Sequence, residues 1–343
     1  LPSSVFRLPS SAFLPPPLVT RLYYIVKPFI PRSLRWAIRR RRAVGIRQRS
    51  QTVWPINESA GKIPRGWPGW PEEKDFAIVL THDVEGQGGV DQVRALAELE
   101  MSFGFRSSFN FIPEGEYRVP DELRKWLVSN GFEVGVHDLN HDGKLYDSRS
   151  GFETKATKIN GYLKEWQARG FRSGFMLRQL DWLHDLDIAY DCSTFDTDPF
   201  EPQPDGALTI FPYWIPRNHG AAETGSGPEE GYVELPYTLP QDSTMFLRLQ
   251  EQDAGIWERK TDWLVKQRGM LLVNVHPDYI DVAGTNAANT CPVDHSAGLL
   301  GRLRDEFSGR YWHALPGEVA SFVENHRSKL AEGQHAWPID VGC

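Results

Sequence analysis

The stretch Phe76-Ala77-Ile78-Val79-Leu80-Thr81-His82-Asp83-Val84-Glu85-Gly86 decides the fold. It opens with five apolar residues in a row, the pattern of a strand covered on both faces, as in a parallel sheet. It then turns abruptly polar. Moving outward, residues 90–101 carry helical spacing (Val90, Val93, Leu96, Leu99), 107–111 (SSFNF) read as strand, 122–129 as helix and 132–137 (FEVGVH) as strand. Residues 152–169 form a further helix with Ile159, Tyr162, Leu163 and Trp166 at core spacing. A strand follows at 187–193 (DIAYDCS), then a helix at 256–267, a buried strand at 269–276 (GMLLVNVH) and a last helix at 318–326. Residues 196–230, rich in Pro, Gly and Asp, read as a long loop, and 233–242 (VELPYTLPQD) as a further strand or a return across the mouth of the site. Strands alternating with helices predict an α/β fold with a parallel sheet or barrel.

The 343 residues suffice for one large α/β domain with a real core. Three scattered cysteines exclude a disulfide framework and a zinc ribbon, and no run of ~18 apolar residues marks a membrane span. The net charge of −7 hides an asymmetry: residues 1–50 carry eleven Lys or Arg and no acid, leaving the other 293 residues with 27 basic against 45 acidic side chains. Residues 1–20 read as a Pro- and Ser-rich linker without the apolar core of a signal peptide, which favours a cytoplasmic or peripheral-membrane location. Within 21–50, a helix opened by Pro31 would turn Leu34, Ala37, Ile38 and Ile46 one way. That basic segment reads either as a membrane-surface helix or as a helix docked on the acidic body. Trp54, Trp67 and Trp70 predict a strap pinned to the domain. The expected organisation is an extension over 1–74, a barrel over 75–330 and a tail over 331–343.

Chemistry in such folds sits at the carboxyl ends of strands. Those ends carry Thr81-His82-Asp83-Val84-Glu85, His137 and His276. His137 and His141, four apart, would point the same way on a helical turn and chelate a divalent ion. Asp83 and Glu85, two apart on an extended segment, share a side, so one can bind metal while the other takes a proton from water. His82 points the opposite way and is expected to pack in the barrel wall. Cys192 reads as a buried thiol.

In order and spacing these stretches resemble the NodB-homology polysaccharide deacetylases, carbohydrate esterase family four. THDVEG (81–86) is similar to that family's first motif, T-F-D-D-G, and GVHDLNH (135–141) to its H-[ST]-x-x-H, with Asp138 in place of Ser or Thr. FRSGF (171–175), YDCSTFDTDPF (190–200) and LLVNVH (271–276) stand where the third, fourth and fifth motifs belong. The resemblance spans about residues 76–325. It implies a distorted (β/α) barrel and a metal-dependent hydrolase that removes N-acetyl groups from an amino sugar in a polysaccharide or glycan precursor. It further implies Asp83 as general base, His137 and His141 as metal ligands, Arg172 as the partner of Asp83, and His276 as general acid. Asp191 would orient His276, with Asp196 and Asp198 as neighbouring candidates. The family's second aspartate, a metal ligand, is here Val84, and Glu85 is the substitute ligand. Two histidines and a carboxylate suit zinc, and also cobalt, nickel or manganese. The alternatives are a metal-independent hydrolase of cyclic imides or ureides on the same fold, or a non-catalytic glycan-binding protein. Nothing in the chain predicts nucleic-acid binding.

Overall fold

The computed structural model describes residues 32–217, 230–282, 284 and 290–334. Expectations for residues 1–31 and 335–343 fall outside that range. Strand β1 (Phe76–Val84) is buried at all nine positions. It pairs in parallel with β8 (Met270–Val275) along one edge. On its other edge it pairs in parallel with β2 (Ser108–Phe111) at its carboxyl half and with β11 (Tyr311–His313) at its amino half. A strand so enclosed has no solvent face, and this is why its apolar run is unbroken.

From β2 the sheet continues in parallel through β3 (Glu133–His137), β4 (Gly170–Arg172), β5 (Tyr190–Asp191) and β7 (Gly231–Glu234), with β6 (Tyr213–Pro216) antiparallel at the far edge. Past β7 the chain turns back, and Thr238 N and Leu239 N donate to Leu272 O at 3.0 and 3.2 Å. These bonds bring the far side of the sheet onto β8 and curl it into an incomplete barrel. Among the helices around it, α2 (Gln87–Phe103), α3 (Asp121–Ser129) and α4 (Arg149–Trp166) follow β1, β2 and β3. Farther on, α5 (Gly255–Gln267) precedes β8, and α6 (Asp294–Glu306) and α7 (Pro316–Gln334) flank β11. A short parallel pair, β9 (Ile280–Asp281) and β10 (Cys291–Pro292), lies apart.

The strands and helices read from the sequence stand where it places them, with two differences, and the structure adds β4, β9, β10, β11 and α6, which that reading does not contain. The strand read at 187–193 shrinks to Tyr190–Asp191, because its neighbour β4 is only three residues long and pairs with it at two positions. The loop at 196–230 contains β6, and Phe195, Phe200, Ile210 and Phe211 within or beside it are core residues. The basic helix α1 (Arg32–Arg49) docks on the body, one of its two readings from the sequence, and Ile46 packs against the core. Arg40 Nε donates to Leu247 O at 3.2 Å, Arg47 pairs with Glu251, and Ala43 between them is buried, while Ile38 is 45% exposed. Arginines three and four residues from Ala43 thus reach a carbonyl and a carboxylate of the body while their stems cover apolar surface.

The tryptophan strap is pinned as expected. Trp54 packs edge-on to Phe200, Trp67 edge-on to Trp70 and Phe211, and Trp70 Nε1 donates to Arg268 O at 2.8 Å. The tail boundary at 330 is interrupted by α7, which runs on to Gln334. Among the described residues no helix is long and apolar enough to cross a membrane.

Candidate active site

Asp83 lies near the carboxyl end of β1, in register with Asn110 on β2, which is in turn in register with Gly135 on β3. A Cβ on Gly135 would sit 2.1 Å from Asn110 Oδ1, so glycine there leaves the room in which the amide reaches Asp83. Three donors hold the carboxylate. Asn110 Nδ2 and Arg172 Nη1 bind Oδ1 at 3.1 and 3.2 Å, and Asn274 Nδ2 binds Oδ2 at 2.8 Å. Arg172 is wholly buried at the end of β4 and also bonds Thr81 Oγ1, Asn274 Oδ1 and Cys192 O. Burial alone would raise the Asp83 pKa. The Arg172 guanidinium, the His276 imidazolium and the Asn110 bond outweigh it and hold the group well below the usual carboxylate range.

His137 ends β3, and His141 lies four residues on, but no helical turn joins them. Asp138 and His141 both take left-handed backbone angles (φ 57° and 54°), and this bend, rather than a helix, brings the two rings to 4.8 Å. Asp tolerates that conformation because its side chain bonds locally, here to the Leu139 N–H at 2.6 Å. His137 Nδ1 lies 3.1 Å from Arg172 O, which only accepts, so Nδ1 carries the proton and Nε2 keeps a lone pair. That Nε2 is buried and has no hydrogen-bond partner among the described residues. Burial pushes the His137 pKa down, which favours the neutral ring. His141 stacks on Phe175 at 4.4 Å and places Nε2 3.4 Å from Glu85 Oε1.

One ligand atom from each of Glu85, His137 and His141 lies within 4.8 Å of the other two. An orphaned imidazole nitrogen, a second imidazole and a carboxylate facing one point form a donor set that suits a divalent ion. The carboxylate in that group belongs to Glu85, and Val84, fully buried, turns into the core between Asp83 and Glu85.

His276 follows β8. Its Nε2 lies 4.0 Å from Asp83 Oδ2 and 3.9 Å from Glu85 Oε1. Its Nδ1 lies 2.6 Å from Asp242 Oδ1, and its backbone N–H donates to Asp242 Oδ2 at 2.8 Å. The residue that orients His276 is therefore Asp242, which corrects the expectation for Asp191. Asp191 is turned toward its own turn and accepts from Ser193 Oγ and Ser193 N at 2.7 and 3.0 Å. The other candidates are also engaged elsewhere, Asp196 by Lys260 and Asp198 by the Tyr237 hydroxyl. Burial would lower the His276 pKa, but Asp242, by charge and by hydrogen bond, together with Glu85 and Asp83, raises it to about 10. The ring is an imidazolium at neutral pH.

Sequence reasoning missed Asn110, Asn274 and Asp242. The two asparagines each interrupt an apolar strand run at the strand end that faces the site, which is a usable signal. Asp242 closes the 233–242 stretch, which supplies strand β7 and then returns to the site. The expected bystanders behave as such. His82 lies behind β1, with Nδ1 3.0 Å from Val275 O and Nε2 2.8 Å from Glu100 Oε1, and Cys192 is buried with its thiol pKa pushed well up by burial.

No protein-family model and no curated protein matches the chain. Solved structures do. A Mycobacterium smegmatis protein assigned as a polysaccharide deacetylase superposes with a TM-score of 0.57 at 15% identity, over 78% of this chain and 95% of that one. A peptidoglycan deacetylase from Bacillus subtilis aligns at 11% identity and TM-score 0.41, over 76% and 98% of the two chains. A family 4 carbohydrate esterase from Streptomyces lividans aligns at 9% and 0.41, over 70% and 93%. The first of these matches, taken with the curled parallel sheet, establishes the fold as the distorted barrel of the NodB-type polysaccharide deacetylases.

Proposed function

We propose that the chain is a metal-dependent hydrolase that removes N-acetyl groups from an amino sugar in a polysaccharide or glycan precursor. The observation that carries this reading is the convergence of Glu85, His137 and His141 opposite the Asp83 and His276 pair at the strand ends. The M. smegmatis neighbour, assigned as a polysaccharide deacetylase, supports it. Glu85, His137 and His141 would hold the ion, and zinc is the metal best matched to them. When bound, such an ion supplies Lewis acidity to the amide carbonyl and acidifies water.

The chain's own residues do the proton work. Asp83, kept ionised by Arg172 and fixed by two asparagine amides, accepts the proton of the attacking water. His276, kept protonated by Asp242, delivers a proton from Nε2 to the departing nitrogen. An amine leaves poorly until protonated, so the two roles require an anion and a cation held side by side, and the 4.0 Å between Asp83 Oδ2 and His276 Nε2 suits them to one substrate atom set.

The test is acetate release from N-acetylglucosamine oligomers and from peptidoglycan fragments by zinc-loaded protein. Release that falls by ~10²–10⁴-fold in Asp83→Asn and in His276→Ala, and stops with a chelator, is the expected result. No acetate from any acetamido sugar, or release that survives the chelator, overturns the reading.

A further inference from the structure

Glu85 follows directly on β1, and its side chain is long enough to miss the metal position by several ångströms in the wrong rotamer. It is nevertheless fixed at both ends, by two consecutive residues of a single turn. The Glu85 backbone N–H donates to Asp278 Oδ2 at 2.8 Å, and the Tyr279 hydroxyl donates to Glu85 Oε2 at 2.6 Å. The other Asp278 oxygen accepts from Gly89 N at 3.1 Å, in the first turn of α2. A Cβ on Gly89 would stand 2.1 Å from the Asp278 carboxylate, so that helix start is shaped to admit it. Pro277–Tyr279 is one short helical turn immediately after His276, with proline at its first position.

We infer that Asp278 and Tyr279 are positioning residues that fix Glu85 as a one-oxygen metal ligand: Oε2 is committed to the phenol, and Oε1 is the atom offered to the ion. Oε1 is also the oxygen that lies 3.4 Å from His141 Nε2 and 3.9 Å from His276 Nε2. The inference rests on the reading of Glu85 as a ligand and adds what makes it one. Val84 removes the carboxylate from the adjacent position, and the Glu side chain that replaces it carries more rotamers, whose loss costs up to ~2 kcal/mol. The hydrogen bonds from Tyr279 and to Asp278 settle that rotamer before an ion arrives. The four residues His276-Pro277-Asp278-Tyr279 then act as one rigid segment, setting the spacing between the proton donor and the metal ligand.

The experiment is zinc affinity of the whole chain, read by competition with a chromophoric chelator, for wild type, Tyr279→Phe, Asp278→Asn, Glu85→Gln and the Glu85→Gln/Tyr279→Phe double variant. Outer partners of metal ligands are worth ~10–100-fold in affinity, and Tyr279→Phe is expected to lose that much with a melting temperature within about 3 °C of wild type. In the Glu85→Gln background the same change is expected to cost less than about twofold, since the phenol acts only through that carboxylate. Wild-type affinity in Tyr279→Phe and Asp278→Asn, with one zinc bound per chain, overturns the inference and leaves the metal reading intact. Equal losses from Tyr279→Phe in both backgrounds also overturn it. No zinc bound by wild type overturns the metal reading and this inference together.

Discussion

Replacing Asp242 with Asn removes the charge that keeps His276 protonated while leaving a side chain of the same shape. His276 is 4% exposed, and burial opposes its imidazolium. Against that, Asp242 is the largest of the influences that raise the pKa, ahead of Glu85 and Asp83, and together they lift it from the usual 6.5 to about 10. The difference of ~3.5 units corresponds to about 5 kcal/mol at ~1.4 kcal/mol per unit. If Asp242 supplies more than half, its loss lowers the His276 midpoint by ~2 units or more, about 3 kcal/mol. The assay is an NMR titration of the His276 imidazole in metal-free protein from about pH 5 to about pH 11. The same shift makes a stability statement. A histidine whose folded pKa is raised contributes stability that is complete below its unfolded value of ~6.5 and is lost as pH rises through about 10. In Asp242→Asn that alkaline loss begins at lower pH. Asp191→Asn serves as control, because its carboxylate bonds Ser193 and leaves the His276 midpoint in place. A fall of less than ~0.5 unit in Asp242→Asn, or an equal fall in both variants, would show that Asp242 does not hold the His276 proton.

Three further outcomes follow from the same geometry. Arg172→Met leaves the Asp83 carboxylate buried without its counter-charge and is expected to cost ~3–5 kcal/mol in urea unfolding. The depressed Asp83 pKa contributes stability that is present above the unfolded value of ~3.9 and is lost as pH falls below it, so Asp83→Asn should flatten the acid limb of the urea midpoint against pH. Gly135→Ala places a methyl 2.1 Å from Asn110 Oδ1 and displaces that amide from Asp83, and it should lower kcat by ~10-fold or more while zinc stoichiometry, read by elemental analysis, stays at the wild-type value.

How much of this was legible in the sequence depends on the range of the signal. Strand β1 announces itself by its unbroken apolar run and β8 by a run broken only at Asn274, because every position of both is buried, and the polar residues that end β1, β3 and β8 do meet at one place. His137 and His141 meet as well, but for another reason than their four-residue spacing, since two left-handed backbone positions do the turning. Asp242 was invisible because it belongs to no period: it reaches His276 from a return segment 34 residues away, placed only by the bonds that carry the chain from β7 onto β8. The sequence left α1 open between a membrane surface and the acidic body, because the contacts that decide it, Leu247 O and Glu251, lie 207 and 204 residues away. Local pattern thus located the long elements and the strand-end chemistry, while short strands such as β4, β6 and β11, and the partners supplied by loops, needed the tertiary structure.

The proposed function stands on Glu85, His137 and His141 forming a metal centre with Val84, rather than a second aspartate, next to Asp83. Elemental analysis of purified protein, beside a His137→Ala/His141→Ala variant, tests it most directly. About one divalent ion per wild-type chain and none in the variant is the expected result. No ion in wild type after equilibration with zinc, cobalt, nickel or manganese, or equal content in both proteins, would contradict it.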